Sequence, residues 1–250
     1  MFFKTAFMPE GPSLVILKEK IADFKGKKII AASGYAKIDY SELENKKITD
    51  IKTWGKHLFI CLKDTNIEIH LRMFGSYMIN ERKQKINAKL SLQFAKDELN
   101  FYVVDVKLIP DLSIYDWEAD VMSDKWSETK AKKKLKEIPE KMICDALLDQ
   151  QIFSGVGNII KNEVLWRAKL YPETLIKNIP AAKINLIMKE AVKFTFEFLK
   201  YKKKGELMKH CDAYGKKICS RCGNDIIKKY LGKTKRASYY CEHCQAPHVR

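Results

Sequence analysis

Apolar positions along the first part of the chain follow two periods in turn. Leu14, Leu17, Ile21 and Phe24 recur at helical spacing directly after Pro12, a residue suited to a first helical turn, which predicts a helix ending at Gly26. Seven short β-rich runs follow, at 28–32, 48–53, 57–62, 67–71, 76–79, 90–94 and 99–105. Several alternate apolar and polar residues, and Lys96-Asp97 falls where a hairpin would turn. Strands of this length and spacing predict a β-sandwich or barrel with one helix at its N-terminal end. After about residue 120 the pattern turns helical, over 142–151, 159–170 and 181–200. In the last of these Ile184, Ile187, Met188, Ala191, Thr195 and Phe198 share a face. A basic run at 130–136 precedes these helices, and 202–205 reads as a linker to a cysteine-bearing module. The expected class is α+β: a β domain, a helical domain, then a small module, with no internal repeat.

Composition turns this outline towards a polyanionic partner. Lysine and arginine number 47 against 31 acids, a net charge of +16. Phosphates neutralised by such a surface release condensed counterions, so nucleic acid is the natural partner. Apolar residues make up 46% of the chain, which supports a folded core. No apolar run has the length of a membrane span, and residues 1–7 are too short and interrupted for a secretory signal. No membrane association is expected, and a cytoplasmic, nucleoid-associated location follows from these readings. Four of the seven cysteines lie in the last 32 residues, and an odd count without a signal argues for metal in a reducing compartment.

Those four form two knuckles, Cys219-Ser220-Arg221-Cys222 and Cys241-Glu242-His243-Cys244, separated by eighteen residues. Each knuckle directs two thiolates at one ion, and two knuckles complete the tetrahedral set of a structural zinc site. A redox CxxC would need one pair within a βαβ pattern, which is absent here. His243 and His248 could ligate, but four cysteines already saturate the metal, so Zn2+ is expected to be structural. Between the knuckles, Lys228-Lys229-Tyr230 and the basic, aromatic stretch 233–240 read as a β-hairpin with a positive face. Upstream, Gly155-Val156-Gly157-Asn158 opens a helix. Its exposed N–H groups and the Asn158 amide suit a phosphate, and an ordinary Asn cap on a packed hairpin suits them as well. The basic finger favours the phosphate.

Taken together, these motifs resemble the formamidopyrimidine-DNA glycosylase and endonuclease VIII family over nearly the whole chain from Met8. Met8-Pro9-Glu10-Gly11-Pro12 looks like the family's N-terminus, and Trp54-Gly55-Lys56 its catalytic-domain lysine motif. His70-Leu71-Arg72-Met73-Phe74-Gly75-Ser76 resembles its damage-probing loop. The stretch 149–158 with Glu163-Val164-Leu165-Trp166-Arg167-Ala168 matches its helix–two-turn–helix, and Lys235-Arg236-Ala237-Ser238-Tyr239-Tyr240-Cys241 its finger hairpin. The resemblance implies a catalytic β-sandwich at 9–125, a helix–two-turn–helix domain at 126–210 and a zinc finger at 211–250. Residues 1–8 would be an extension missing from the working enzyme. The implied partner is damaged double-stranded DNA, met by a monomer.

The chemistry implied is that of a bifunctional glycosylase and lyase. Pro9 would be the nucleophile through a free secondary amine, Glu10 would move protons at the sugar, and Lys56 would hold a flanking phosphate and assist. Met73 would fill the gap left by a flipped nucleotide, while Asn158 and Arg236 would clamp phosphates. Core packing is the competing expectation for Met73, helix-end electrostatics for Glu10 and a solvated lysine face for Lys56. The segment Asp105-Val106-Lys107-Leu108-Ile109-Pro110 replaces the Arg-Arg-Phe-Gly with which formamidopyrimidine glycosylases probe the opposing base, leaving Lys107 as the available charge. The stretch 200–214 is short for a loop covering oxidised guanine. Both differences lean towards oxidised pyrimidines. An 8-oxoguanine or formamidopyrimidine enzyme is the alternative, as is a catalytically inactive damage binder should Pro9 remain internal.

Overall fold

The computed structural model describes residues 9–246, and the chain divides into two compact units, one ending at Tyr115 and the next starting at Asp116. In the first unit, helix α1 (Gly11–Lys20) runs from the Glu10 cap with Pro12 in its opening turn. Its Leu14 and Leu17, with Ile21 and Phe24 beyond, are buried, as the helical spacing required.

Eight strands follow: β1 (Ala31–Gly34), β2 (Asp50–Trp54), β3 (His57–Cys61), β4 (Asn66–His70), β5 (Ser76–Ile79), β6 (Leu90–Gln93), β7 (Glu98–Tyr102) and β8 (Asp105–Ile109). They form two antiparallel four-stranded sheets, ordered β1-β6-β7-β5 and β2-β3-β4-β8. Leu58, Ile60, Ile67, Ile69 and Val106 of one sheet share a core with Leu90, Leu92, Leu99 and Phe101 of the other, which defines a sandwich. Phe94 donates its N–H to the Asp97 carbonyl, closing the turn expected at Lys96-Asp97.

Two strand assignments shift. The first strand begins at Ala31, and Lys28 makes only an isolated bridge to Lys47. The run expected at 99–105 is broken, because Val103 sits at φ 56° and turns the chain from β7 into β8. Periodicity cannot see such a corner, since a β-branched residue is among the least suited to left-handed backbone. Val103→Asn is expected to raise stability by about 1 kcal/mol, because Asn tolerates that conformation. Chemical denaturation checks this, and an unchanged midpoint would show the corner to be unstrained.

In the second unit the basic run forms helix α2 (Glu128–Lys136), capped by the Ser127 hydroxyl accepting from Lys130 N–H. The helix expected over 142–151 shrinks to one turn, α3 (Ile143–Ala146). Helix α4 (Asn158–Ala168) is buried on nearly every side, and α5 (Ala181–Lys203) packs on it while extending through the first half of the expected linker. Strands β9 (Ile227–Leu231) and β10 (Arg236–Tyr240) make the hairpin read between the knuckles. No helix among the described residues is long and apolar enough to cross a membrane.

Candidate functional site

In the first unit, Pro9 stands directly before α1 and Glu10 is the helix cap, only 1% exposed. The Glu10 N–H donates to the Ser13 hydroxyl at 3.3 Å, and the Ser13 N–H donates to the Glu10 carbonyl at 2.7 Å. The cap fixes the Glu10 backbone, and the Glu10 side chain is buried at the start of α1. Lys56 lies half-buried in the two-residue turn Gly55-Lys56 that joins β2 to β3.

Strand register then lays out a face that single-residue reasoning left unread. Trp54, His57, His70 and Asp105 stand in one row across β2, β3, β4 and β8, and Lys52, Phe59, Glu68 and Lys107 stand in the next. Side chains alternate along a strand, so these two rows share the sheet face opposite the core. His57 Nδ1 lies 2.7 Å from Glu68 Oε1, and the Tyr115 hydroxyl bonds to the same carboxylate. The His57 bond holds the Glu68 carboxyl below the ordinary glutamate range against the opposing effect of burial. Burial, then Glu68, pushes the Tyr115 phenol upward. Burial, then the nearby His57, lowers His70 below the ordinary histidine range. His57, Glu68, His70, Asp105 and Lys107 line a cavity of about 230 Å³. His57 and His70 thus belong to a polar cluster that only the register of β3 on β4 brings together.

Beyond this face the β4–β5 loop carries Met73, 44% exposed, which removes core packing as its role. The Asp105–Ile109 segment is a regular strand, with Lys107 exposed and opposite Glu68.

The second unit builds its site around one carbonyl. Between α3 and α4, the Gln150 amide donates to the Leu148 and Val156 carbonyls at 2.8 and 3.1 Å and accepts from Gly155 N–H at 3.1 Å, stitching the two turns. The cap of α4 is Gly157, so Asn158 is not the ordinary cap. Its Nδ2 donates instead to the Ala237 carbonyl at 3.0 Å. Lys161 Nζ and Asn162 Nδ2 reach the same oxygen at 3.2 and 3.1 Å. Lys161, 1% exposed, also donates to Ser238 Oγ, and Asn162 Oδ1 accepts from Tyr239 N–H at 2.7 Å. Strand β10 is therefore latched to the first turn of α4, bringing Asn158 and exposed Arg236 together from 78 positions apart.

Four further latches hold the finger. The buried Asp145 carboxylate of α3 accepts from Lys233 N–H, Thr234 N–H and the Thr234 hydroxyl, at 2.8, 3.1 and 2.8 Å. Gly232, at φ 72°, lets the hairpin turn approach it, since a Cβ there would stand 2.6 Å from Asp145 Oδ1. Glu163, fully buried, accepts from the N–H groups of Asp212, Ala213 and Tyr214 at 2.8, 3.0 and 2.7 Å. Trp166 Nε1 donates to Cys219 Sγ at 3.4 Å beneath the Arg221 guanidinium, and Gln245 Nε2 donates to the Leu170 carbonyl at 2.8 Å.

The sulfurs of Cys219, Cys222, Cys241 and Cys244 lie within 4.8 Å of one another. Cys222 and Cys241 are 3.5 Å apart, Cys219 and Cys244 4.0 Å. A tetrahedron with metal–sulfur bonds of about 2.3 Å has sulfur separations of roughly 3.8 Å, so the set fits one such ion.

A β-sandwich followed by a helix–two-turn–helix unit with a cysteine-built hairpin latched to it defines a class of two-unit, metal-finger proteins. Sequence comparison gives the class its family. The formamidopyrimidine-DNA glycosylase N-terminal domain matches residues 8–108, and the formamidopyrimidine-DNA glycosylase H2TH domain matches residues 118–208. Endonuclease 8-like 3 of Xenopus laevis is 34% identical over 87% of this chain, and its human counterpart 33% over 78%. The chain spans 38% and 34% of the lengths of those two proteins. Formamidopyrimidine-DNA glycosylase of Halalkalibacterium halodurans is 27% identical, over 95% of this chain and all of that protein. Among solved structures, Lactococcus lactis formamidopyrimidine-DNA glycosylase bound to DNA containing an AP site superposes with a TM-score of 0.85 at 25% identity, covering 95% of this chain and 100% of the other. The chain belongs to the formamidopyrimidine-DNA glycosylase and endonuclease VIII family, on its endonuclease VIII-like side.

Proposed function

We propose that this protein is a base-excision repair enzyme, a DNA N-glycosylase with AP lyase activity acting on damaged double-stranded DNA. The observation that carries the reading is Glu10, buried at the cap of α1 directly after Pro9 in the chain. With a free secondary amine, Pro9 attacks C1′ of the damaged nucleotide and the C1′–N bond breaks, expelling the base. Opening of the C1′–O4′ bond, with O4′ taking a proton, then gives an iminium that acidifies the C2′ proton; its removal expels the 3′ phosphate, and a second elimination expels the 5′ phosphate. An α-amino group titrates near ~8, so an appreciable fraction is unprotonated at neutral pH. Glu10 moves protons at the sugar, and Lys56 binds a flanking phosphate. Met73 fills the vacated position. Asn158 and Arg236 hold lesion-flanking phosphates, and Lys107 adds charge on the sandwich.

The four cysteines hold a structural Zn2+ that fixes the hairpin and takes no part in the chemistry. The protein acts as a monomer in the cytoplasm, on nucleoid DNA. The preferred lesions are oxidised pyrimidines, because Asp105–Ile109 is a paired strand without the Arg and Phe expected of an 8-oxoguanine enzyme. Cleavage of duplexes carrying thymine glycol, dihydrouracil, 8-oxoguanine and formamidopyrimidine tests this, and preference for 8-oxoguanine opposite cytosine would overturn it.

Arg236→Ala is expected to weaken lesion-duplex binding about tenfold and to lower the log–log salt slope by about one, with metal content unchanged. Titration at several salt concentrations measures both. An unaltered slope would remove Arg236 from the phosphate contacts.

A further inference from the structure

The carbonyl oxygen of Ala237 holds more donors than its two lone pairs call for. Asn158 Nδ2 and Asn162 Nδ2 engage it at 3.0 and 3.1 Å, and Lys161 Nζ adds a third donor at 3.2 Å. The ammonium also reaches Ser238 Oγ at 3.1 Å, a hydroxyl that a neutral donor would serve as well. Latching the hairpin therefore calls for hydrogen-bond donors at this point, not for a charge. The charge is costly on two counts. Lys161 is 1% exposed, and an ammonium taken out of water weighs against the folded state. It also stands near the N-terminal end of α4, the positive pole of the helix, where a cation is unfavourable. The first turn of α4 carries no acid, and Glu163 further along turns its carboxylate to the N–H groups of Asp212, Ala213 and Tyr214. A residue set against stability twice over marks a functional position.

What the charge can do follows from what lies beside it. Lys161 and Asn158 grip the same oxygen, one residue along the chain from exposed Arg236. We infer that Lys161 is a positioning residue, a buried cation that strengthens the hold of Asn158 and Arg236 on a lesion-flanking phosphate without touching the DNA. This deepens the proposed function and rests on its assignment of those two residues. A charge inside the protein is screened less by salt and water than one on the surface, so it acts on a bound phosphate across the Asn158 side chain. The positive end of α4 acts in the same direction. The instability that Lys161 brings to the free protein is thus relieved when a phosphate arrives.

The test measures binding of wild type, Lys161→Met, Lys161→Gln and Asn158→Ala to three duplexes. One is undamaged, and one carries a tetrahydrofuran abasic analogue. The third is that abasic duplex with uncharged methylphosphonates in place of both phosphates flanking the analogue. Methionine keeps the length of the side chain without its charge, and glutamine keeps a donor without the charge. Both variants are expected to bind the abasic duplex about tenfold more weakly than wild type. Their metal content should be unchanged, and their denaturation midpoints unchanged or raised. On the methylphosphonate duplex wild type and both variants should bind alike, because the charge has no flanking anion to act on. Wild-type affinity in Lys161→Gln would show that a donor suffices, and midpoints lowered in both variants would make the lysine a latch; either result overturns the inference. A tenfold loss that persists on the methylphosphonate duplex would also overturn it. Wild-type binding by both Lys161 variants, with Asn158→Ala weakened, would overturn it while leaving the proposed function standing. Equal wild-type binding to the abasic and undamaged duplexes would overturn both.

Discussion

Protein whose first residue is Pro9 is expected to become covalently joined to lesion-containing DNA under borohydride, whereas protein retaining Met8 and the residues before it is expected to give no adduct. The difference is chemical. A peptide-bonded proline nitrogen has no lone pair to give, whereas a terminal proline is a secondary amine that forms an iminium reducible by hydride. Glu10→Gln in the same protein should slow base release by about 10²- to 10⁴-fold, the range for a positioned proton-transfer group. The substitution keeps the side chain's size and the Glu10 N–H bond to Ser13, so fold stability should change little. Mass spectrometry of the trapped product reports which residue carries the sugar remnant. An adduct formed equally by the longer protein, or carried by a lysine, would remove Pro9 from the mechanism.

Withdrawing the metal should have the next largest effect. Chelation, or Cys241→Ser, is expected to lower lesion-duplex affinity by about a hundredfold or more while the sandwich keeps its fold. Binding energy at a structural metal site is largely folding energy, so its loss falls on the hairpin that carries Arg236. Trp166 gives a direct reading. Its indole lies between Cys219 and Arg221, so release of the knuckle should move tryptophan emission to longer wavelength in step with lost binding. Added Zn2+ should reverse both changes in the chelated wild type and neither in the variant. Unchanged emission and affinity after complete chelation would show that the hairpin stands without metal.

Much of this was legible in the residues, for reasons that differ by element. Helices α1 and α5 bury one face, so their apolar spacing located them, and the knuckles declare themselves because metal geometry demands short, fixed spacings. The corner at Val103 was illegible because the cost of its backbone is offset by pairing on either side, His70 with Asp105 and Ser76 with Tyr102. The contraction of the helix expected over 142–151 to a single turn escaped because Gln150 turns its amide back onto the backbone, a competition that periodicity does not register. Asn158 and Arg236 were singled out separately, and only the structure supplied the Ala237 carbonyl that joins them. The cluster around Glu68 was missed for a related cause. Its members are scattered from His57 to Tyr115, and only strand register gathers them.

The latching of the finger bears on how such a protein can be taken apart. Cysteine-built hairpins are often pictured as portable, able to be cut from one chain and grafted onto another. Here the finger leans on Asp145, Lys161, Asn162, Glu163, Trp166 and Leu170, all within the preceding helical segment. A graft of residues 211–246 would carry the ion but leave its aim behind. The helical segment left without it would expose a lysine and a glutamate that folding had placed out of water. The unit that can be exchanged as a whole therefore begins well before the first cysteine knuckle, at or upstream of α3.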